Sequence, residues 1–379
     1  MVFAIVILTI AIGFLIIERQ IIGRSVTALP LRIHVNGTRG KSSVTLYIAA
    51  GLSSTDPAVM AKITGVSPSI ISSGIVQVLG RKGVARVQEQ FYIIRLAARR
   101  GIKNLVLECM SISPELQQLE SRFFKPHYYV ITNIRDDHRE EMGKSLRQQA
   151  ESICNAIPGN CTVVTSETVF LDMIRQKAAE KGSSVIVPDK INFGHKQKLP
   201  YGVFPENFAL ALKVCTLAGI DSKQSETFIL KSVKNEKLPY QILSSGNKEF
   251  RFLNAFAVND VGSTESFIEY WQKKLSLDAK YSVLLNTRAD RPLRTDQFTS
   301  WISSKAGDID RVLVCGSHAG RAFLNLRKSG LDKDKIFLLK NIDLNDLKNT
   351  LYKHFGDGSF IVGLGNIGGQ GRKIMEVLA

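Results

Sequence analysis

A chain of 379 residues, 44% hydrophobic and 22% charged, holds enough apolar material for two or three packed domains and is too apolar to be disordered. Its net charge of +16 is partly concentrated between Arg81 and Lys103, which reads first as a solvated helix face and next as a surface for an anionic membrane or polymer. That stretch lacks the aromatic interleaving of a base-stacking surface, and no nucleic-acid module is recognisable, so nucleic acid is excluded as an expected partner. The five cysteines are scattered without a CxxC pair, which excludes a disulfide framework and a zinc site and fits a reducing compartment. In chain order, Val2 to Ile17 is uncharged and almost wholly apolar. No basic region precedes it and no small-x-small cleavage site follows, so a retained single-pass anchor over 1–20 is expected in preference to a signal peptide; a buried first helix is the other alternative. Arg19, Arg24 and Arg32 follow the run, placing the body of the protein on the cytoplasmic side of the cell membrane.

Next comes Ile33-His-Val-Asn-Gly37-Thr-Arg-Gly-Lys41-Ser-Ser-Val-Thr45, read as a short strand, a glycine loop and a helix opening. Such a loop turns backbone N–H groups inward, adds the positive end of a helix dipole and supplies a mobile lysine charge. The strict Walker pattern asks for glycine where Val35 stands, so the match is to the shortened Gly-Thr-x-Gly-Lys-Ser. The residues expected to cradle nucleotide are Asn36, Gly37, Thr38, Arg39, Gly40, Lys41, Ser42 and Ser43, with the Ser42 hydroxyl on Mg²⁺. A strand-to-helix turn with an incidental lysine is the bland alternative.

Beyond the loop, apolar runs at Arg32–Asn36, Asn104–Glu108, Tyr128–Asn133, Cys161–Thr165 and Ser184–Pro188 read as strands, with helices such as Gln88–Arg100 and Ser166–Lys181 between them. This alternation predicts a parallel sheet covered by helices on both faces. A polar stretch at Leu243–Glu249 reads as a linker, which divides the chain into an anchor (1–20), an ATPase domain (21–245) and a second α/β domain (246–379) with strands at Tyr281–Leu285, Arg311–Cys315 and Ser359–Leu364. Function in such sheets collects at the carboxyl ends of strands. There the chain places Glu108, Asn133, Asp137 and His138, a carboxylate, an amide and an imidazole able to surround a phosphate-held Mg²⁺. Gly363, Gly365 and Gly368 satisfy GxGxxG. A dinucleotide fold would need a further strand and an acid beyond Ala379, so an anion-binding helix entrance or a tight turn is expected instead.

Taken together, Gly37–Ser42, Glu108, Thr132-Asn133, Asp137-His138 and the Phe204-Pro-Glu-Asn207-Phe-Ala-Leu-Ala-Leu212 segment resemble the ATPase domain of the Mur ligase and folylpolyglutamate synthase superfamily. The anchor, the Glu108-Cys-Met segment, Asn254–Asp260, Asn286–Arg291 and Gly363-Leu-Gly-Asn366-Ile-Gly-Gly narrow the resemblance to the PgsB/CapB group of poly-γ-glutamate synthases. The resemblance implies a Mur-ligase-like P-loop ATPase domain with a mostly parallel sheet, followed by a smaller Rossmann-like α/β domain. It implies an ATP-dependent carboxylate–amine ligase that polymerises glutamate through an acyl phosphate, with two Mg²⁺ ions. Lys41, Glu108 and His138 would be catalytic, with Ser42, Glu108 and His138 as metal ligands. Asn133, Asp137, Asn207, Asp260 and Arg288 would serve the nucleotide, and Asp290, Arg291 and Asn366 the substrate. A carbamylated lysine is common in the superfamily, and Lys196 or Lys198 lies in roughly that region. The implied partners are glutamate, the growing polymer, the membrane and a small integral-membrane subunit; nothing in the sequence forbids a homo-oligomer. A folylpolyglutamate-synthase-like enzyme is one alternative, and a membrane-tethered P-loop ATPase or kinase regulating polymer export is another. The second of these would end its Walker B strand in aspartate, where this chain has Glu108.

Overall fold

The computed structural model describes residues 2–64, 68–80, 85–189, 199, 203–234, 239–245, 248–258, 260–277, 280–339 and 346–378. Lys196 and Lys198 lie outside the described residues. The chain forms two compact units, Met1–Glu236 and Lys237–Ala379.

The first unit opens with α1 (Val2–Thr27), an apolar helix whose mean hydropathy reaches 2.2 and which is largely exposed. Its length and composition suffice to cross a membrane. Its last turns are different, since Ile22 and Val26, with Leu29 just beyond the helix, are buried among Phe91, Ile94 and Phe124. The strand that follows, β1 (Leu31–Asn36), ties back to it, because the Arg32 guanidinium donates to the carbonyls of Val26 (3.2 Å) and Leu29 (2.6 Å). The Val26 carbonyl belongs to the last turn of α1 and that of Leu29 to the turn after it, and a cation there also opposes the helix dipole. The remaining strands are β2 (Val59–Ile63), β3 (Ser69–Ser72), β4 (Ile75–Val78), β5 (Asn104–Glu108), β6 (Tyr128–Ile131), β7 (Thr162–Thr165) and β8 (Ser184–Ile186). They form one sheet of order β4-β3-β2-β5-β1-β6-β7-β8. β2, β5, β1, β6, β7 and β8 run parallel, while β3 and β4 add an antiparallel edge. β1 is therefore flanked by β5 and β6, and the order reverses around it. A crevice at the carboxyl ends of such a reversal is where ligands bind in open α/β sheets.

Helices cover both faces. On one face α2 (Lys41–Leu52), α8 (Pro205–Leu217) and α9 (Ser222–Lys234) pack Val44, Tyr47, Ile48, Phe208, Val214 and Ile229 onto the sheet. On the other lie α3 (Gln88–Arg99), α4 (Pro114–Phe124), the short α5 (Arg139–Met142), α6 (Leu146–Asn155) and α7 (Leu171–Ala179). Local chemistry sets several starts. Ser113 caps α4 ahead of Pro114, and Ser145 with Gln148 forms a capping box on α6.

The second unit is a sheet of order β13-β12-β11-β14-β10-β9, built from β9 (Tyr240–Ser245), β10 (Lys248–Asn254), β11 (Tyr281–Thr287), β12 (Ile309–Gly316), β13 (Ile336–Leu338) and β14 (Phe360–Gly365). All neighbours are parallel except β9, which pairs antiparallel with β10. Its helices are α10 (Val261–Lys274), α11 (Pro292–Ser304), α12 (Ala319–Lys328), α13 (Leu347–Phe355) and α14 (Gln370–Leu378).

Two expectations change. The polar stretch at Leu243–Glu249 is no linker; both its ends are strands of one antiparallel pair that opens the second unit, and the division falls earlier, between Glu236 and Lys237. In a sequence, Ser, Gly and Asn signal a turn between strands as readily as a domain boundary. The strand expected to run to Asn133 stops at Ile131, because Asn133 turns aside to hold the glycine loop.

Candidate active site

β1 delivers the glycine loop at the centre of the first sheet. Gly37 (φ +123°) and Gly40 (φ +77°) take backbone conformations that a side chain would strain. A Cβ on Gly37 would also stand 2.2 Å from Thr132 Oγ1, and one on Gly40 2.5 Å from Asn207 Nδ2. Unlike α4 and α6, α2 begins without a side-chain cap, so its first N–H groups are left for a ligand. Lys41 curls back over the loop, with Nζ 2.7 Å from the Gly37 carbonyl and 3.2 Å from that of Thr38.

The loop is braced from β6. Asn133 accepts from the Arg39 N–H and donates to the Arg39 carbonyl, both at 3.1 Å, and its own carbonyl receives the Thr38 N–H at 2.9 Å. Asn36, expected to touch nucleotide, is instead buried. Its amide accepts from Gly37 N–H (2.7 Å) and donates to Gln117 (2.9 Å) and Tyr129 (2.8 Å), so it shapes the loop from beneath. Asn207 likewise is buried against Gly40 at the start of α8.

From β5, the Glu108 carboxylate reaches the loop. Ser42 Oγ donates to it at 2.9 and 3.0 Å, and the Thr64 N–H donates to it at 2.7 Å. A hydroxyl and a buried carboxylate meeting at the mouth of an uncapped helix make a hard oxygen donor set suited to Mg²⁺. The residues present therefore fit the metal–nucleotide pair that the sequence implies. Asp137 lies beside the loop, 3.3 Å from the Arg39 guanidinium, and His138 lies 3.6 Å from Asp137. His138 has a left-handed backbone (φ 49°) at the start of α5. Thr38 Oγ1 bonds the Arg135 backbone, and Ser43 is half-buried within the first turn of α2.

In the second unit, the expected residues gather at the carboxyl ends of β10, β11 and β14. Asp260 caps α10 by accepting from Ser263 N–H at 2.8 Å. Arg288 and Asp290 form a two-point pair (2.9 and 2.6 Å), and Arg291 precedes α11. Asn366 is buried, accepting from Arg294 at 3.0 Å, with its backbone N–H on Asn286 at 3.1 Å. Asn286 lies in a segment the resemblance already marks, but no linear signal marks Arg294, because its partner Asn366 is 72 positions away. The glycine run serves packing as well as turning: a Cβ on Gly363 would stand 2.7 Å from the Phe256 ring.

A glycine loop at a sheet reversal, a lysine folded over it and a Ser–Glu oxygen pair beside it define a P-loop nucleotide-binding protein. Residues 35–258 match the Mur ligase middle domain, and residues 239–379 match the poly-gamma-glutamate synthase CapB C-terminal domain. The chain is 28% identical over 371 residues to the PGA synthase CapB of Bacillus subtilis (strain 168), covering 95% of this chain and 93% of that protein. It is 27% identical over 373 residues to the capsule biosynthesis protein CapB of Bacillus anthracis, covering 95% and 79%. Its fold matches the bifunctional folylpolyglutamate synthase/dihydrofolate synthase of Yersinia pestis complexed with AMPPNP and Mn (TM-score 0.67, 14% identity, 95% of this chain and 91% of that one). The chain belongs to the Mur ligase family, whose members are ATP-dependent amide ligases.

Proposed function

We propose that this protein joins glutamate units into a poly-γ-glutamate chain at the expense of ATP, from the cytoplasmic face of the membrane. The observation that carries this reading is the convergence of Ser42 and Glu108 beside Lys41, at the uncapped start of α2. The similarity of nearly the whole chain to a PGA synthase supports glutamate as the amino acid. Ser42 and Glu108 would hold Mg²⁺, which when bound neutralises phosphate charge. Lys41 would exchange the Gly37 and Thr38 carbonyls for nucleotide phosphates and offset the charge that builds as a phosphoryl group moves to the donor carboxylate. Asn133 and Asn36 keep the loop in shape without touching the reacting atoms. His138, oriented by Asp137, is proposed for a second ion. Arg288 and Arg291 are proposed for carboxylate recognition, with Asp290 fixing the Arg288 fork. The apolar α1 supports membrane anchoring, where a small membrane subunit would receive the polymer, and the charge of +16 suits a polyanionic product.

The test is phosphate release from Mg·ATP by membranes carrying the protein and its partners, with and without glutamate. Glutamate should stimulate release and a γ-linked polymer should appear. Lys41→Ala should lower turnover about 10³-fold or more with the fold retained. Turnover indifferent to every amino acid would overturn the ligase reading in favour of a regulatory ATPase, and normal turnover by Lys41→Ala would overturn the site.

A further inference from the structure

Directly behind Glu108, four polar side chains are buried where apolar ones would pack at lower cost: Lys62 (0% exposed), His34 (1%), Gln90 (2%) and Glu120 (3%). Their bonds run in one direction. Lys62 Nζ donates to Gln90 Oε1 at 2.9 Å, and it is neutralised by Glu89 at 2.7 Å. Gln90 Nε2 donates to the Glu108 carbonyl at 2.9 Å and to Glu120 Oε2 at 3.0 Å. Glu120 also accepts the N–H groups of Met110 (3.1 Å) and Ser111 (2.8 Å) and the Ser111 hydroxyl, with His34 3.5 Å away.

An ammonium only donates, while a carboxylate and a carbonyl only accept. The Gln90 amide therefore has one workable orientation, its oxygen to Lys62 and its NH₂ to the two acceptors. Turned over, it would set its NH₂ against the Lys62 ammonium and its oxygen against the Glu108 carbonyl and Glu120. The backbone of Glu108, Met110 and Ser111 is thus held at three atoms by two buried side chains, on the far side from Ser42.

We propose that Gln90, its amide oriented by Lys62 and seconded by Glu120, is a positioning residue that aims the Glu108 carboxylate at the metal of the bound nucleotide. This rests on Glu108 holding that metal. It assigns a role to α3 and β2, which otherwise only flank the site. Supporting residues around a metal ligand typically carry about 10–100-fold in metal affinity.

The test titrates Mn²⁺ onto the full-length protein with AMPPNP, reading free Mn²⁺ by electron paramagnetic resonance, for wild type, Glu108→Gln, Gln90→Met and Lys62→Met. Gln90→Met and Lys62→Met should each weaken Mn²⁺ about 10-fold while changing metal-free AMPPNP affinity by no more than about twofold. A general loosening of the fold would weaken both equally, and that result would overturn the proposal. Unchanged Mn²⁺ affinity in a folded Gln90→Met protein would also overturn it, provided Glu108→Gln weakens Mn²⁺. If Glu108→Gln has no effect either, the metal assignment of Glu108 falls first. Should the variants fail to fold, hydrogen exchange of the wild type decides. The Met110 and Ser111 amides, though in a loop, should exchange slowly, and rapid exchange there would refute the clamp.

Discussion

Glu120 shows how much one buried side chain carries in this molecule. Burial alone would raise its pKa, but the hydrogen bond and charge of His34, with the hydrogen bonds of Ser111 and Gln90, outweigh that and bring it down to about 2. A carboxylate whose folded pKa lies below its unfolded value stabilises the fold fully above the unfolded value. That contribution is lost as pH falls through the folded one. From the ordinary 4.5 to about 2, the linked stabilisation is about 3 kcal/mol, present above pH 5 and fading towards pH 2. Glu120→Gln should therefore be less stable than wild type at pH 7 in urea denaturation, with the gap narrowing steadily below pH 4. A gap constant with pH would mean the loss is one of packing alone. The residues of the site and those behind it differ in how legible they are from sequence. Lys41, Ser42 and Glu108 are legible because a phosphate loop and a strand tip are linear signals. Lys62, Gln90 and Glu120 are not, since their bonds span separations such as 28 and 30 residues and each residue alone reads as an ordinary surface polar. Asn36 is legible as part of the loop but not as a brace, because its direction is set by Gln117 and Tyr129 from elsewhere in the chain.

At the scale of elements, the helix that opens at the glycine loop, α2, packs against α8 closely enough to exclude a methyl group. A Cβ on Gly51, in the last turn of α2, would stand 2.5 Å from Cys215 Sγ of α8, with Ile229 and Ser225 of α9 at 3.5 Å. Alanine in a helix gains about 0.5–1 kcal/mol over glycine, whereas overfilling a packed core costs about 1–3 kcal/mol. Gly51→Ala should thus destabilise despite its better helix propensity, and Cys215→Ala added to it should recover part of the loss. Thermal melts of the single and double variants check this, and strictly additive losses would show that the two side chains do not collide. The parallel strands β5, β6 and β7 are readable from short apolar runs followed by polar residues, and β1 (Leu-Arg-Ile-His-Val-Asn) from its place immediately before the glycine loop. The edge strands β3 and β4 escape such a reading, and β4 is a reason why: all four of its residues are exposed, so no burial pattern marks it. The β9–β10 pair reads as a linker since Ser-Ser-Gly-Asn signals a reversal without saying what it joins.

For the whole molecule, α1 serves two ends with two different surfaces. Its first part is apolar and bare, Ile5, Leu8, Phe14 and Ile17 all being exposed, so it contributes nothing to the core of the first unit. Its last part is core, with Ile22 and Val26 buried, Leu29 buried in the turn that follows, and the Val26 and Leu29 carbonyls held by Arg32 at the start of the strand that carries the glycine loop. A helix joined this way is continuous with the sheet that carries the glycine loop, without a linker that could fold or proteolyse separately. Deletion of residues 2–17 should therefore abolish membrane attachment while leaving the first unit's melting temperature and its nucleotide binding unchanged. Fractionation gives the check, with the full-length protein resisting alkaline wash and yielding only to detergent. Retention of the shortened chain on membranes would move attachment to another surface, for which the basic residues of α3, Arg95 and Arg99, are the first to replace. A fall in melting temperature would instead show that the bare turns of α1 pack on the protein and that α1 is a core helix along its whole length.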